Sequence, residues 1–200
     1  MFSLDGALNN TILTHIFFEK AKNSTLLRDI ETACFAYCSA LRYVELPTSL
    51  RTIRSMAFFG CNVLSLTPEL QGDLVVADNI CHIYSQAFCA IQGDEMKEKQ
   101  VSITIGSEVR SLGIDAFANL NRFIKTITIG TSDKGTQLTA INIDNQTFKQ
   151  NDDWGMWSMT NAIVKIYITD TVEGQRIKDK LQVLDNGSTY SNIEIIQTAT

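Results

Sequence analysis

The chain has 200 residues and a net charge of −5, which suits one domain or one short repeat array. Hydrophobic residues make up 44%, enough for a core, while charged residues are only 20%. Mild acidity without a Lys/Arg cluster excludes a nucleic-acid partner, whose phosphates demand grouped cations. The densest basic stretch, Arg176 to Lys180, is interrupted by Asp179.

In chain order, Met1 to Asn10 lacks a basic segment followed by an apolar one, so no secretory signal is expected there. Thr11 to Phe18 reads as a strand with Ile12, Ile16 and Phe18 apolar, and residues 1–26 are expected to form a partial first coil that caps the N-terminal end. From Leu27 the chain repeats itself. Leu27 and Ile30 recur as Leu50 and Ile53, 23 residues on. Cys34-Phe35, Cys38 and Leu41 recur at the same offset as Ala57-Phe58, Cys61 and Leu64. Ile83 with Ala87-Phe88, then Leu112 with Ala116-Phe117, continue the pattern 30 and 29 residues on. Leu138, Ile141 and Phe148 form a looser copy with two extra residues before the Phe.

A second signature lies between these units. Leu41, Val44 and Leu46 have the spacing of a leucine-rich-repeat strand, as do Ile124, Ile127 and Ile129, and Ile163, Ile166 and Ile168. Ile103 and Ile105 alternate in the same way. Period-two alternation buries one face and wets the other. The wet face then carries Tyr43, Glu45, Ser102, Thr104, Thr126, Thr128, Lys165 and Tyr167. A single unit cannot bury its own apolar edge, so copies must stack, with each strand parallel to the next. Phe35, Phe58, Phe88 and Phe117 are expected in one inner column. The Ala-Phe pair is expected to open a short helical or 3-10 turn, the small Ala permitting close approach. Three insertions, residues 67–79, 92–100 and 149–161, are read as loops. Asp170 and Glu173 mark a helix start, Ile177, Leu181 and Leu184 share one helical face, and Gly187 can stop the helix. That helix is expected to cover the last coil. With only two prolines and no linker, the chain is one domain: repeats over 27–168, and a C-terminal cap over 169–200.

The run from Ile30 through Phe35, Cys38, Leu41, Val44 and Leu46-Pro47-Thr48-Ser49-Leu50 resembles the BspA-type leucine-rich repeat. Residues 27–53 match that pattern closely and 80–148 with more drift, while Tyr190, Asn192 and Ile195 resemble the terminal unit of such arrays. The resemblance implies a repeat solenoid, a right-handed superhelix of short parallel strands and short turns. It also implies a surface-exposed or secreted protein that takes part in adhesion.

Candidate chemistry is sparse. Only His15 and His82 could serve as bases, and His82 follows Cys81 directly, so those two side chains point to opposite faces. The cysteines (Cys34, Cys38, Cys61, Cys81 and Cys89) are odd in number and never spaced Cys-x-x-Cys. They read as packing residues, neither a disulfide framework nor a zinc site. A cation at Asp144, Asp152 and Asp153 is the weaker reading of solvated carboxylates. Sequons at Asn9, Asn23, Asn145 and Asn186 occur at the frequency chance allows. No phosphate-cradling loop is present, and no cofactor, metal or membrane span is expected.

The function expected is a non-catalytic module that binds a protein or a glycan. Tyr suits protein contact, while Thr is also a good strand residue with no binding role, so both readings of the strand face stand. Trp154 and Trp157 sit in the third insertion; exposed Trp is unfavourable unless covered, which favours folding back onto the core over a contact loop. The alternative to a binding module is a structural subunit of a larger assembly, such as a phage or virion component.

Overall fold

The computed structural model describes residues 12–17, 27–61, 64, 74–89, 101–118, 124–148, 162–182 and 192–199. Its strands are β1 (His15–Phe17), β2 (Asp29–Ile30), β3 (Tyr43–Glu45), β4 (Thr52–Ile53), β5 (Leu74–Val76), β6 (His82–Ile83), β7 (Val101–Ile105), β8 (Ser111–Leu112), β9 (Ile124–Ile129), β10 (Ile163–Ile168) and β11 (Ile193–Gln197). Among the described residues one helix, α1, spans Thr171–Gln182, and a 3-10 turn spans Ala140–Asn142. Every strand pairing is parallel. The first sheet runs β5-β7-β9-β10-β11, the second runs β2-β4-β6-β8, and β1 pairs with β3 separately. The fold is an open repeat solenoid with parallel sheets, as the repeat requires. No helix of the described residues is long and apolar enough to cross a membrane.

The inner column is present. Phe35 stacks on Phe58, Phe58 on Phe88, Phe88 on Phe117 and Phe117 on Phe148, with ring centroids 5.4, 5.3, 5.3 and 5.6 Å apart. Each ring is held by its own backbone. The amides of Phe35, Phe58, Phe88 and Phe117 donate to the carbonyls of Ala57, Ala87, Ala116 and Thr147, all at 2.8 Å. The residue before each Phe therefore lies against the next coil, and Ala57, Ala87 and Ala116 are fully buried there. Thr147 occupies the fourth such site with its hydroxyl satisfied, donating to the Gly113 carbonyl and accepting from the Asp144 amide.

Beyond the insertion 67–79, which is not all loop because Leu74–Val76 forms β5 of the first sheet with Leu74 and Val76 buried, two expectations need correction. The Ala-Phe segment is not helical; it is a run of β-turns. Ala33, Met56, Gln86 and Asp115 adopt left-handed backbone, with φ of 55°, 58°, 57° and 53°. That conformation costs on the order of 1–2 kcal/mol per non-glycine residue. It aims the amides of Ala33, Met56 and Gln86 sideways, at the carbonyls of Ser55, Ser85 and Ile114 in the neighbouring coil (each 3.0 Å). A helix would have turned those donors back along its own axis. The second correction concerns the looser copy. Ile141 is 88% exposed, and Ile143 takes the inner position, bridging to Leu112. The 3-10 turn absorbs the two extra residues, so Ile143 sits five residues before Phe148, as Ile83 does before Phe88.

At the C-terminal end, Asp170 caps α1 by accepting from the amides of Val172 (2.9 Å) and Glu173 (3.2 Å). Glu173 does not fold back onto the cap. It accepts the Ala140 amide at 2.7 Å while Lys180 donates to the Ala140 carbonyl at 2.8 Å, so α1 grips both polar groups of one peptide residue. Ile177 and Leu181 are buried beneath the helix. Gly174 brings it close: a Cβ there would lie 2.8 Å from Ile168 and 3.0 Å from Ile195. Leu184 and Gly187 lie outside the described residues.

Candidate binding face

Strand alternation in the first sheet sends Ile103, Ile105, Ile127, Ile129, Val164 and Ile166 inward, where all are buried. The intervening residues form rows across the outward face. Register places Val75, Thr104, Thr128, Lys165 and Glu194 side by side in one row. Ser102, Thr126 and Ile163 form a second, and Tyr167 lies opposite Ile196. These side chains are mostly half-buried, because neighbours about 4.8 Å away crowd them from each side. The result is a flat bed of hydroxyls with one Lys–Glu neighbour pair. Six of the eight residues expected on the face are thus brought together. Val75, Ile163 and Ile196 join them; being apolar, they carry no outward signal in the alternation of polar and apolar residues.

Tyr43 and Glu45 lie apart from that bed. Their strand β3 pairs with β1, His15 facing Tyr43 and Phe17 facing Glu45. Among the described residues no pairing joins β3 to β5. Tyr43 meets both β1 rings edge-on, at 6.4 Å from His15 and 5.8 Å from Phe17. Its hydroxyl is pushed above the usual phenol range by partial desolvation and, secondarily, by the Glu45 carboxylate. Trp154 and Trp157 lie outside the described residues.

The second sheet has an outward row of its own, Asp29, Thr52, His82 and Ser111. His82 Nδ1 and Ser111 Oγ are 2.9 Å apart. This is one half of a nucleophile–base arrangement, formed by register across β6 and β8. The carboxylate of that row, Asp29, is two strands from His82 and is bound instead by Arg54 at 3.1 Å. Among the described residues the row thus supplies two of the three groups of such a constellation, and Asp29 does not serve as the third. Two-residue strands carry no readable periodicity, so alternation does not mark this row.

Three of the five cysteines sit as packing residues, while Cys34 and Cys81 are half-buried. Cys38, Cys61 and Cys89 are buried. Burial pushes the Cys61 thiol far up, and its Sγ donates to the Phe35 carbonyl at 3.1 Å. Cys34 is raised by burial first and by Cys38 second. High thiol pKa values mean little thiolate and low reactivity. Among the described residues no three His, Cys, Asp or Glu side chains converge on a metal position. Asp144 accepts the Gln146 amide at 2.8 Å as a turn residue; Asp152 and Asp153 lie outside the described residues.

Stacked parallel coils around one aromatic column, with a flat outward strand face, define a leucine-rich-repeat solenoid. A match to the BspA type leucine rich repeat region, in 6 copies, spans residues 5–130 and 72–172, and the chain belongs to that family. Repeats of this family serve generally as interaction modules and not as catalytic folds. No curated protein matches the chain significantly, and no solved structure does so.

Proposed function

We propose that this chain is a non-catalytic binding module that holds a protein or glycan partner on the outward face of its strands, at a cell surface. The observation that carries this reading is the row Thr104, Thr128, Lys165 and Glu194: side chains fixed in register on a buried sheet, offering donors and acceptors that are already ordered. A preordered surface loses little entropy on binding, which is where affinity is otherwise spent. The test is a glycan and matrix-protein array probed with the full chain and with Thr104→Arg and Thr128→Glu variants. Support is a ligand that the wild type retains and both variants lose at unchanged melting temperature. Equal binding by all three chains, or none by any, contradicts the reading.

One observation favours a subunit of a larger assembly as a second reading. β11 ends the first sheet, and among the described residues nothing pairs with its outer edge. A free edge is a template for another chain. Mass measurement in solution separates the two: a stable monomer supports the binding module, an obligate oligomer the subunit. The Trp154–Met159 loop is a further proposed contact, and Trp157→Ala tests it. Intact folding with weakened binding supports the contact; collapse of the fold supports packing.

A further inference from the structure

The pair β1–β3 presents an unusual combination on one outward face. His15 and Phe17 lie within 4° of parallel with centroids 6.3 Å apart, and Tyr43 is inclined to them at 62° and 63°, presenting its ring edge-on. Phe17 is 65% exposed, although a burial partner for a ring this large is ordinarily favourable. Glu45 is the register partner of Phe17 and is exposed. It makes no ion pair among the described residues, although Arg42 lies three residues before it. Aromatic faces carry a negative quadrupole, so rings and carboxylate act with the same sign. Together they attract a cation and repel an anion. A neutral sugar could stack on the rings but would leave the carboxylate without a partner of opposite charge.

We propose that His15, Phe17, Tyr43 and Glu45 form a receptor for a cationic side chain, an arginine of a protein partner. A guanidinium is planar, weakly hydrated and able to stack on a ring while donating to a carboxylate, which this patch supplies together. An ammonium meets the charge requirement but not the stacking one. The site deepens the binding-module reading by naming the chemistry of one contact, and it narrows the partner there from protein or glycan to protein.

The test is an NMR titration of the full chain, following the ring resonances of Phe17 and Tyr43. The probes are N-acetyl-arginine methylamide, its citrulline analogue of the same shape without charge, and methyl glucoside. The arginine probe is expected to give saturable shifts, and citrulline to bind about fivefold more weakly. Phe17→Ala and Glu45→Gln, both at exposed positions that leave the fold intact, are each expected to weaken the arginine probe by roughly two- to fivefold. Thr104→Ala is expected to change nothing. Equal binding of citrulline, tighter binding of the glucoside, or no saturable shift with arginine overturns the proposal. The titration uses no macromolecular partner. A null result here therefore leaves a partner held at Thr104 and Thr128 unaffected, and loss of that partner would not remove an arginine site.

Discussion

Ile53 and Phe58, Ile83 and Phe88, Leu112 and Phe117, and Ile143 and Phe148 are each five residues apart. From each Phe to the inward residue of the strand that follows it the distance varies: 9 residues from Phe35 to Val44, 16 from Phe58 to Leu74, 15 from Phe88 to Ile103, 10 from Phe117 to Ile127 and 16 from Phe148 to Val164. The constant stretch is where coils exchange backbone hydrogen bonds at every turn. An added residue there would break the ladder and displace a ring from the column. The variable stretch tolerates insertion because loop closure costs only ~0.6 kcal/mol per doubling of length. Stability is therefore concentrated in the column, and variation is free to accumulate around the strand face where partners are proposed to sit.

The largest effect expected is at the column. Phe58→Ala or Phe117→Ala removes a ring packed on both sides and should destabilise by about 3–5 kcal/mol in urea or thermal unfolding. A loss below about 1 kcal/mol would break the claim that the column carries the fold. Next come the close approaches between coils. A Cβ at Gly113 would lie 2.5 Å from the Ser85 amide nitrogen and one at Gly106 would lie 2.8 Å from the Ala77 backbone, neither of which can swing away. Gly113→Ala or Gly106→Ala should cost roughly 1–3 kcal/mol.

Glu173 sharpens the comparison at the C-terminal end. The Ala140 amide, with Arg176 second, holds its carboxyl below the usual range. Its contribution is therefore complete above the ~4.3 of an unfolded Glu and is lost as pH falls through the lowered folded value. Glu173→Gln should cost about 1 kcal/mol or less at neutral pH and flatten the acid limb of a stability-against-pH curve. An acid limb unchanged by the substitution would mean the grip on Ala140 is absent in solution. The smallest effect is on the outward rows, where Thr128→Ala should stay within about 0.5 kcal/mol of wild type.

Most of the architecture was legible because stacking forces apolar residues to recur in register. Phe35, Phe58, Phe88 and Phe117 were readable as a column, and Phe148 follows them. The errors came where local chemistry outweighs spacing. Ile141 and Ile143 are both apolar and two residues apart, and only the 3-10 turn decides which points inward. The left-handed Ala33, Met56 and Gln86 are stabilised by bonds to another coil, which no local propensity reports. Of the face, Ser102, Thr104, Thr126, Thr128, Lys165 and Tyr167 followed from alternation. The aromatic group did not, because His15, Phe17 and Tyr43 meet only through a pairing of strands 28 residues apart from His15 to Tyr43.

The stacking of coils is tested most directly by a nuclear Overhauser experiment on chain carrying labelled, assigned Phe rings. Cross-peaks are predicted between Phe58 and Phe88 and between Phe88 and Phe117, with none between Phe35 and Phe117. Missing neighbour peaks, or contacts that skip a coil, would contradict the solenoid described above.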